Sequence, residues 1–217
     1  GAGDGGGECS GCRDTAKEAY APHPDARYQA KVQELAARAI SLGKLLDFYG
    51  QLGTPGCMPH YTPDLHTTND VVRGAIIPMS KATGAAYATT MMGGAPTYPQ
   101  KMVTHNWGNL FRDLVAAIVA DATGDAEFVV IACLLDGNLH YLKKLLADKE
   151  ALDLTYWVCA FSVAQHIGIC GANPRSDCDP VTGKLHPVCD CSRPKAFNET
   201  EPTTMGGRSI PCEMNKF

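Results

Sequence analysis

The sequence has no Walker-type P-loop and no Gly-x-Ser-x-Gly elbow, which removes the two commonest signatures of phosphate-cradling and serine-hydrolase chemistry. It has no apolar run approaching the roughly 18–20 residues that a membrane-crossing helix needs, so no membrane span is expected. Basic residues are not clustered either. The longest Lys/Arg block is the pair Lys143 and Lys144, and the formal charge is −4, so nucleic acid is not an expected partner. Composition is that of a globular chain, 45% hydrophobic and 19% charged over 217 residues.

Cysteine is the residue present in excess, with ten copies. That is more than ordinary cytosolic usage and less than a small disulfide scaffold carries, so the compartment stays open, with an intracellular setting favoured. Cys133 and Cys159 lie inside apolar runs and read as buried small hydrophobes. Cys9-Ser-Gly-Cys12 precedes no strand, so a disulfide, or metal ligation together with Cys57 and His60, fits it better than a redox motif.

Apolar periodicity predicts one helix of about five turns over residues 27–49, ended by the glycines of residues 50–56. A short helix over residues 71–77 follows, capped by Asn69 or Asp70 and stopped by Pro78. A turn or two of helix fits residues 85–92. Residues 102–105 read as a strand, followed by a helix with Asn109 as its N-cap and Leu110, Phe111, Leu114, Val115, Ile118 and Val119 as its stripe. Two helices fit residues 126–135 and 138–148, broken at Asp136-Gly137. Residues 152–161 are apolar on both faces, as a strand covered by helices should be. Together these predict an α/β fold, with a parallel sheet whose strands are joined by a long helical crossover. Residues 57–171 form its core, residues 1–56 a Gly/Cys start with a helical extension, and residues 172–217 a Cys-rich irregular segment.

Both strands run into polar clusters. Ligands of open parallel sheets gather at the carboxyl ends of strands, so His105, Asn106, Trp107 and Gln165 are expected to face one crevice, with Ser162 and His166 beside them. A helix N-terminus attracts anions, and Trp107 offers a stacking face for a base. Turn hydrogen bonds and gap filling explain the same residues, because no Gly-rich fingerprint accompanies them. Farther on, His166-x3-Cys170, Cys189-x-Cys191 and Cys212 bring imidazole and thiol ligands onto a stretch without regular structure, with Cys178 and His186 nearby. A closed structural zinc site needs that donor set, while disulfides or unlinked thiols account for the same cysteines. Asn198-Glu-Thr200 matches a glycosylation acceptor.

Val103-Thr-His-Asn-Trp-Gly-Asn-Leu-Phe-Arg-Asp-Leu-Val, followed by Tyr156-Trp-Val-Cys-Ala-Phe-Ser-Val-Ala-Gln-His166, resembles the first half of TIR-like (Toll/interleukin-1 receptor-like) domains of protists. Ile169-Cys-Gly, the Cys189-Asp-Cys191 loop with Pro194-Lys-Ala-Phe-Asn198, and Cys212-Glu-Met-Asn-Lys-Phe217 are similar to the dinoflagellate type. The resemblance runs from about residue 57 to the end. It implies a partial flavodoxin-like fold and either NAD+ hydrolysis or scaffold-type association with protein partners or itself. The glutamate that the family uses for NAD cleavage lies in a Trp-Cys-x-x-Glu motif beyond another strand, which this sequence does not reach. The chain is therefore expected to be part of a longer protein, or a non-enzymatic half-fold packed within an assembly.

Overall fold

The structure is a computed structural model that describes residues 25–125, 128–196 and 213. Three short strands make its sheet: β1 (Ile40–Ser41), β2 (Lys101–Val103) and β3 (Thr155–Val158), in the order β1-β3-β2. β2 runs parallel to β3, with Met102 opposite Trp157, whereas β1 runs antiparallel to β3, with Ile40 opposite Tyr156. The sheet is mixed, and the fold is α/β. The parallel pair is joined by the expected helical crossover, made of the three helices Phe111–Thr123, Val129–Gly137 and Leu139–Asp148.

Before the sheet closes, the single helix expected over residues 27–49 is broken. Helix α1 (Ala26–Ala36) ends at Ala37, β1 follows, and α2 (Leu42–Gln51) starts on a Ser41 cap whose hydroxyl accepts the Lys44 N–H. The sheet claims this backbone: Ala39 N–H donates to Thr97, Leu42 to Leu154 and Gly43 to Leu152. Backbone pairing thus overrides a continuous apolar period. The buried Arg38 at the break donates to Glu213 at 2.8 Å, and Glu213 also accepts the Ala164 N–H. The part of the expected extension that is described is integral to the core, since Leu42, Leu45, Leu46 and Phe48 are buried among the residues of the sheet and crossover.

The next helical stretch begins three residues earlier than expected and ends later. Thr67 caps α3 (Thr68–Val71) in a reciprocal box, its hydroxyl accepting the Asp70 N–H and the Asp70 carboxylate accepting the Thr67 N–H. Pro78 does not stop the helix. A π-helical turn (Val72–Ile76), in which Ile77 N–H donates to Val72, delivers the proline into the first turn of α4 (Ile77–Ser80), where its missing N–H costs little. Replacing Thr67 with alanine is expected to cost about 1 kcal/mol. Urea unfolding checks this, and an unchanged midpoint would mean that the box adds nothing.

Helix α5 (Tyr87–Met91) leads to β2, and α6 (Phe111–Thr123) buries the predicted stripe from Phe111 to Val119. Its N-cap is Leu110 rather than Asn109, because the Asn109 carbonyl accepts the Thr68 N–H. Helix α7 (Val129–Gly137) passes to α8 (Leu139–Asp148) at Asn138, whose side chain caps α8 through the Tyr141 N–H. Cys133 is exposed on α7, contrary to expectation, and Cys159 is only half-buried. The strand expected over residues 152–161 is β3 alone. Its apolar run continues as a buried helical turn, α9 (Cys159–Ser162), closed by the Ser162 hydroxyl accepting the Val158 N–H. At the centre of the core Phe48 meets Tyr87, Phe111 and Phe161 edge-on, at centroid distances of 5.6, 5.9 and 5.3 Å.

Candidate metal centre and adjoining polar cleft

The turn after α9 carries His166 and Cys170, and the irregular segment returns to it with Cys189 and Cys191. The Cys189 N–H donates to the Cys170 carbonyl at 2.6 Å, which ties the two ligand pairs together through the backbone. Cys170 Sγ lies 3.6 Å from Cys191 Sγ, and Cys189 Sγ lies 3.7 Å from His166 Nδ1. All four donor atoms fall within 4.8 Å of one another, so the cluster could hold a metal ion. With zinc–sulfur bonds of about 2.3 Å a tetrahedron has an edge of about 3.8 Å, close to both separations. The cysteines of the described residues are free thiols.

The surroundings of this cluster are those of a ligand set. His166 is fully buried, with Nε2 3.1 Å from the Ser80 hydroxyl, which itself donates to the Ile76 carbonyl at 2.6 Å. An imidazole N–H donated to Ser80 leaves the Nδ1 lone pair facing the sulfurs. Lys195 Nζ donates to Cys170 Sγ at 3.1 Å, to Cys191 Sγ at 3.3 Å and to the His166 carbonyl at 2.7 Å. Burial opposes ionisation of Cys191, but the Arg193 backbone N–H, His166 and Lys195 outweigh it and bring its thiol below the ordinary value. Cys170 moves the other way. Burial and the neighbouring Cys191 sulfur raise its thiol despite Lys195.

Of the remaining sequence candidates, Cys212 and the pair Cys9/Cys12 lie outside the described residues, as does the Asn198-Glu-Thr200 acceptor. Cys178 is exposed and donates to the Ser176 carbonyl, away from the centre. Cys57 is buried against Met79 sulfur at 3.4 Å, and burial raises its thiol. His60 is drawn elsewhere: its Nε2 is 2.7 Å from Asp179, and Nε2 of the fully buried His66 is 3.1 Å from the same carboxylate oxygen. The Asp179 carboxyl is held well below the usual carboxylate range, because the Thr182 backbone N–H and both imidazoles outweigh its burial. His186 is not at the cysteine cluster but 2.7 Å from Asp70, the residue of the α3 capping box.

The two polar strand ends do not share one crevice. Asn106 and Trp107 line a cleft of about 640 Å³ together with Asn69, Arg73, Arg175 and Asp177. Gln165 is buried and donates its amide to the carbonyls of Cys159 and Ala160, and the buried Ser162 hydroxyl is taken by its turn. His105 is outside the cleft, with Nε2 3.8 Å from Cys159 Sγ and an imidazole pKa lowered by burial. Lys195, Ser80, His66 and Asp179 were not read from the sequence as parts of any site. The His60-x5-His66 spacing was visible, but its acidic partner lies 113 residues beyond His66.

No family model, curated protein or solved structure matches the chain. No helix among the described residues is long and apolar enough to cross a membrane.

Proposed function

We propose that this chain is a non-enzymatic interaction module on a TIR-like half-fold, with its irregular segment fastened by one structural zinc ion on His166, Cys170, Cys189 and Cys191. The supporting observation is the convergence of these four donors, with Lys195 against two of the sulfurs. Three thiolates and a neutral imidazole fill a tetrahedral zinc site, leaving no position for substrate, and the surplus negative charge is matched by the lysine ammonium. Exposed Phe128, Val129, Val130 and Tyr141 on and beside α7 and α8 supply apolar surface for a protein partner or a second copy. The TIR-like motifs agree with scaffolding, and the α/β core agrees with them at the level of fold class.

Cobalt(II) titration of the chelated, reduced chain tests the metal. Thiolate-to-metal absorption in the near ultraviolet, displaced by one equivalent of zinc and lost in Cys170→Ser, is the expected result. A chain that develops no such band refutes the reading. In the metal-free chain, iodoacetamide near neutral pH is expected to label Cys191 before Cys170, because the thiolate is the nucleophile and Cys191 is the more readily ionised.

A second reading is favoured by Asn106 and Trp107 in the cleft, namely binding of an NAD-type nucleotide. Calorimetric binding of NAD+ or ADP-ribose that disappears in Trp107→Ala would support this reading, and NAD+ cleavage that disappears in the same variant would displace the non-enzymatic one. No heat from either ligand is the result expected here.

A further inference from the structure

We propose that His60, His66 and Asp179 form a second divalent-metal site, open to solvent and separate in chemistry from the cysteine centre. Its donors come from two loops, and they lie within 4.8 Å of one another. Asp179 Oδ2 is 2.7 Å from His60 Nε2 and 3.1 Å from His66 Nε2. An ion bound tetrahedrally at about 2.0–2.2 Å to each donor gives edges of about 3.3–3.6 Å, so the two imidazoles must each draw back from the carboxylate by a few tenths of an ångström to receive it.

Asp179 and His66 are oriented from behind, as metal ligands are. The other oxygen of Asp179 accepts the backbone N–H groups of Val181 at 3.0 Å and Thr182 at 2.7 Å, which fixes the plane of the carboxylate. The His66 ring stacks on Tyr61 at 5.5 Å, and its Nδ1 accepts the Thr62 N–H at 2.8 Å, with the Thr62 carbonyl 3.1 Å away. That bond places the ring proton on Nε2, toward Asp179, so an ion on Nε2 requires the other tautomer, with the ring turned so that Nδ1–H leaves the Thr62 N–H and donates to the Thr62 carbonyl.

The His60 side chain is 35% exposed while His66 is fully enclosed, which gives an ion access on one side only. Two imidazoles and one carboxylate leave at least one position for water or a small anion, unlike the closed cysteine centre. Nitrogen and oxygen donors without sulfur suit zinc, cobalt(II) or iron(II) rather than copper(I).

Cobalt(II) added to chain whose cysteine centre is already filled with zinc tests the site. Equilibrium dialysis is expected to show a second bound equivalent with visible d–d absorption and no thiolate band. His60→Ala, at the exposed edge, is expected to lose that equivalent while keeping the zinc. Cys191→Ser is expected to lose the thiolate centre and keep the second equivalent, so failure of one site is distinguishable from failure of the other. A wild-type chain that takes up no second equivalent, or a His60→Ala chain that still binds it, overturns the proposal and leaves a metal-free hydrogen-bonded clamp.

Discussion

In the His166→Ala variant, and in the wild-type chain treated with a strong chelator, residues 172–196 are expected to come loose while the α/β core stays folded. The reason is the poverty of apolar burial in that segment. Between residues 172 and 196 the only buried side chains are Asp179 and His186, both polar, and no helix or strand is formed. The segment is held by the Asp179 and His186 pairs, by an Arg73 bond to the Ala172 carbonyl at 3.1 Å, and by the ligand cluster. Structural zinc contributes on the order of 10–16 kcal/mol of apparent binding free energy in small zinc-folded peptides, far more than such pairs supply. Limited proteolysis should cut within residues 172–196 only after chelation, and hydrogen exchange should accelerate there before it does in α6. Cleavage and exchange indifferent to the chelator would show that the pairs suffice without metal.

Phe48→Ala is expected to act on the other half of the molecule, lowering global stability by about 3–5 kcal/mol. Phe48 is fully buried and links α2 to α5, α6 and α9 through three edge-on ring contacts. Its removal takes away transfer free energy, leaves a cavity and breaks aromatic pairs that add to area burial. For a chain of this size the melting temperature should fall by roughly 10 °C. Denaturant unfolding checks the loss, and a change below about 1 kcal/mol would mean that the neighbouring rings collapse into the space. Metal binding by this variant should persist below its melting transition, because no ligand lies on α2.

The parallel strand pair and its helical crossover were legible because burial on both faces of residues 155–158, and the stripe from Phe111 to Val119, leave marks in local sequence. The cysteine ligands were legible through spacing alone. The break between α1 and α2 was not, since both helices and the strand joining them bury apolar side chains, and nothing local records that Ala39 and Leu42 bond to distant backbone. The same limit hid Ser80 behind His166 and Lys195 against the sulfurs, contacts that depend on how loops return to the core. It also misplaced Gln165. One added helical turn, α9, carries the second polar cluster away from the cleft, so His166 joins the cysteines while Asn106 and Trp107 stay with Arg73 and Arg175.

The wide turn ahead of Pro78 has a consequence in angular phase. One residue of an α-helix turns its successor by about 100°, so the extra residue accommodated between Val72 and Ile76 re-aims everything that follows it. Ser80 is the last residue of that stretch, and its hydroxyl meets the His166 ring. A helix regular through this point would present Ser80 about 100° around the axis and leave the imidazole N–H without its acceptor. The irregularity that admits a proline thereby sets the tautomer of an imidazole 86 residues away.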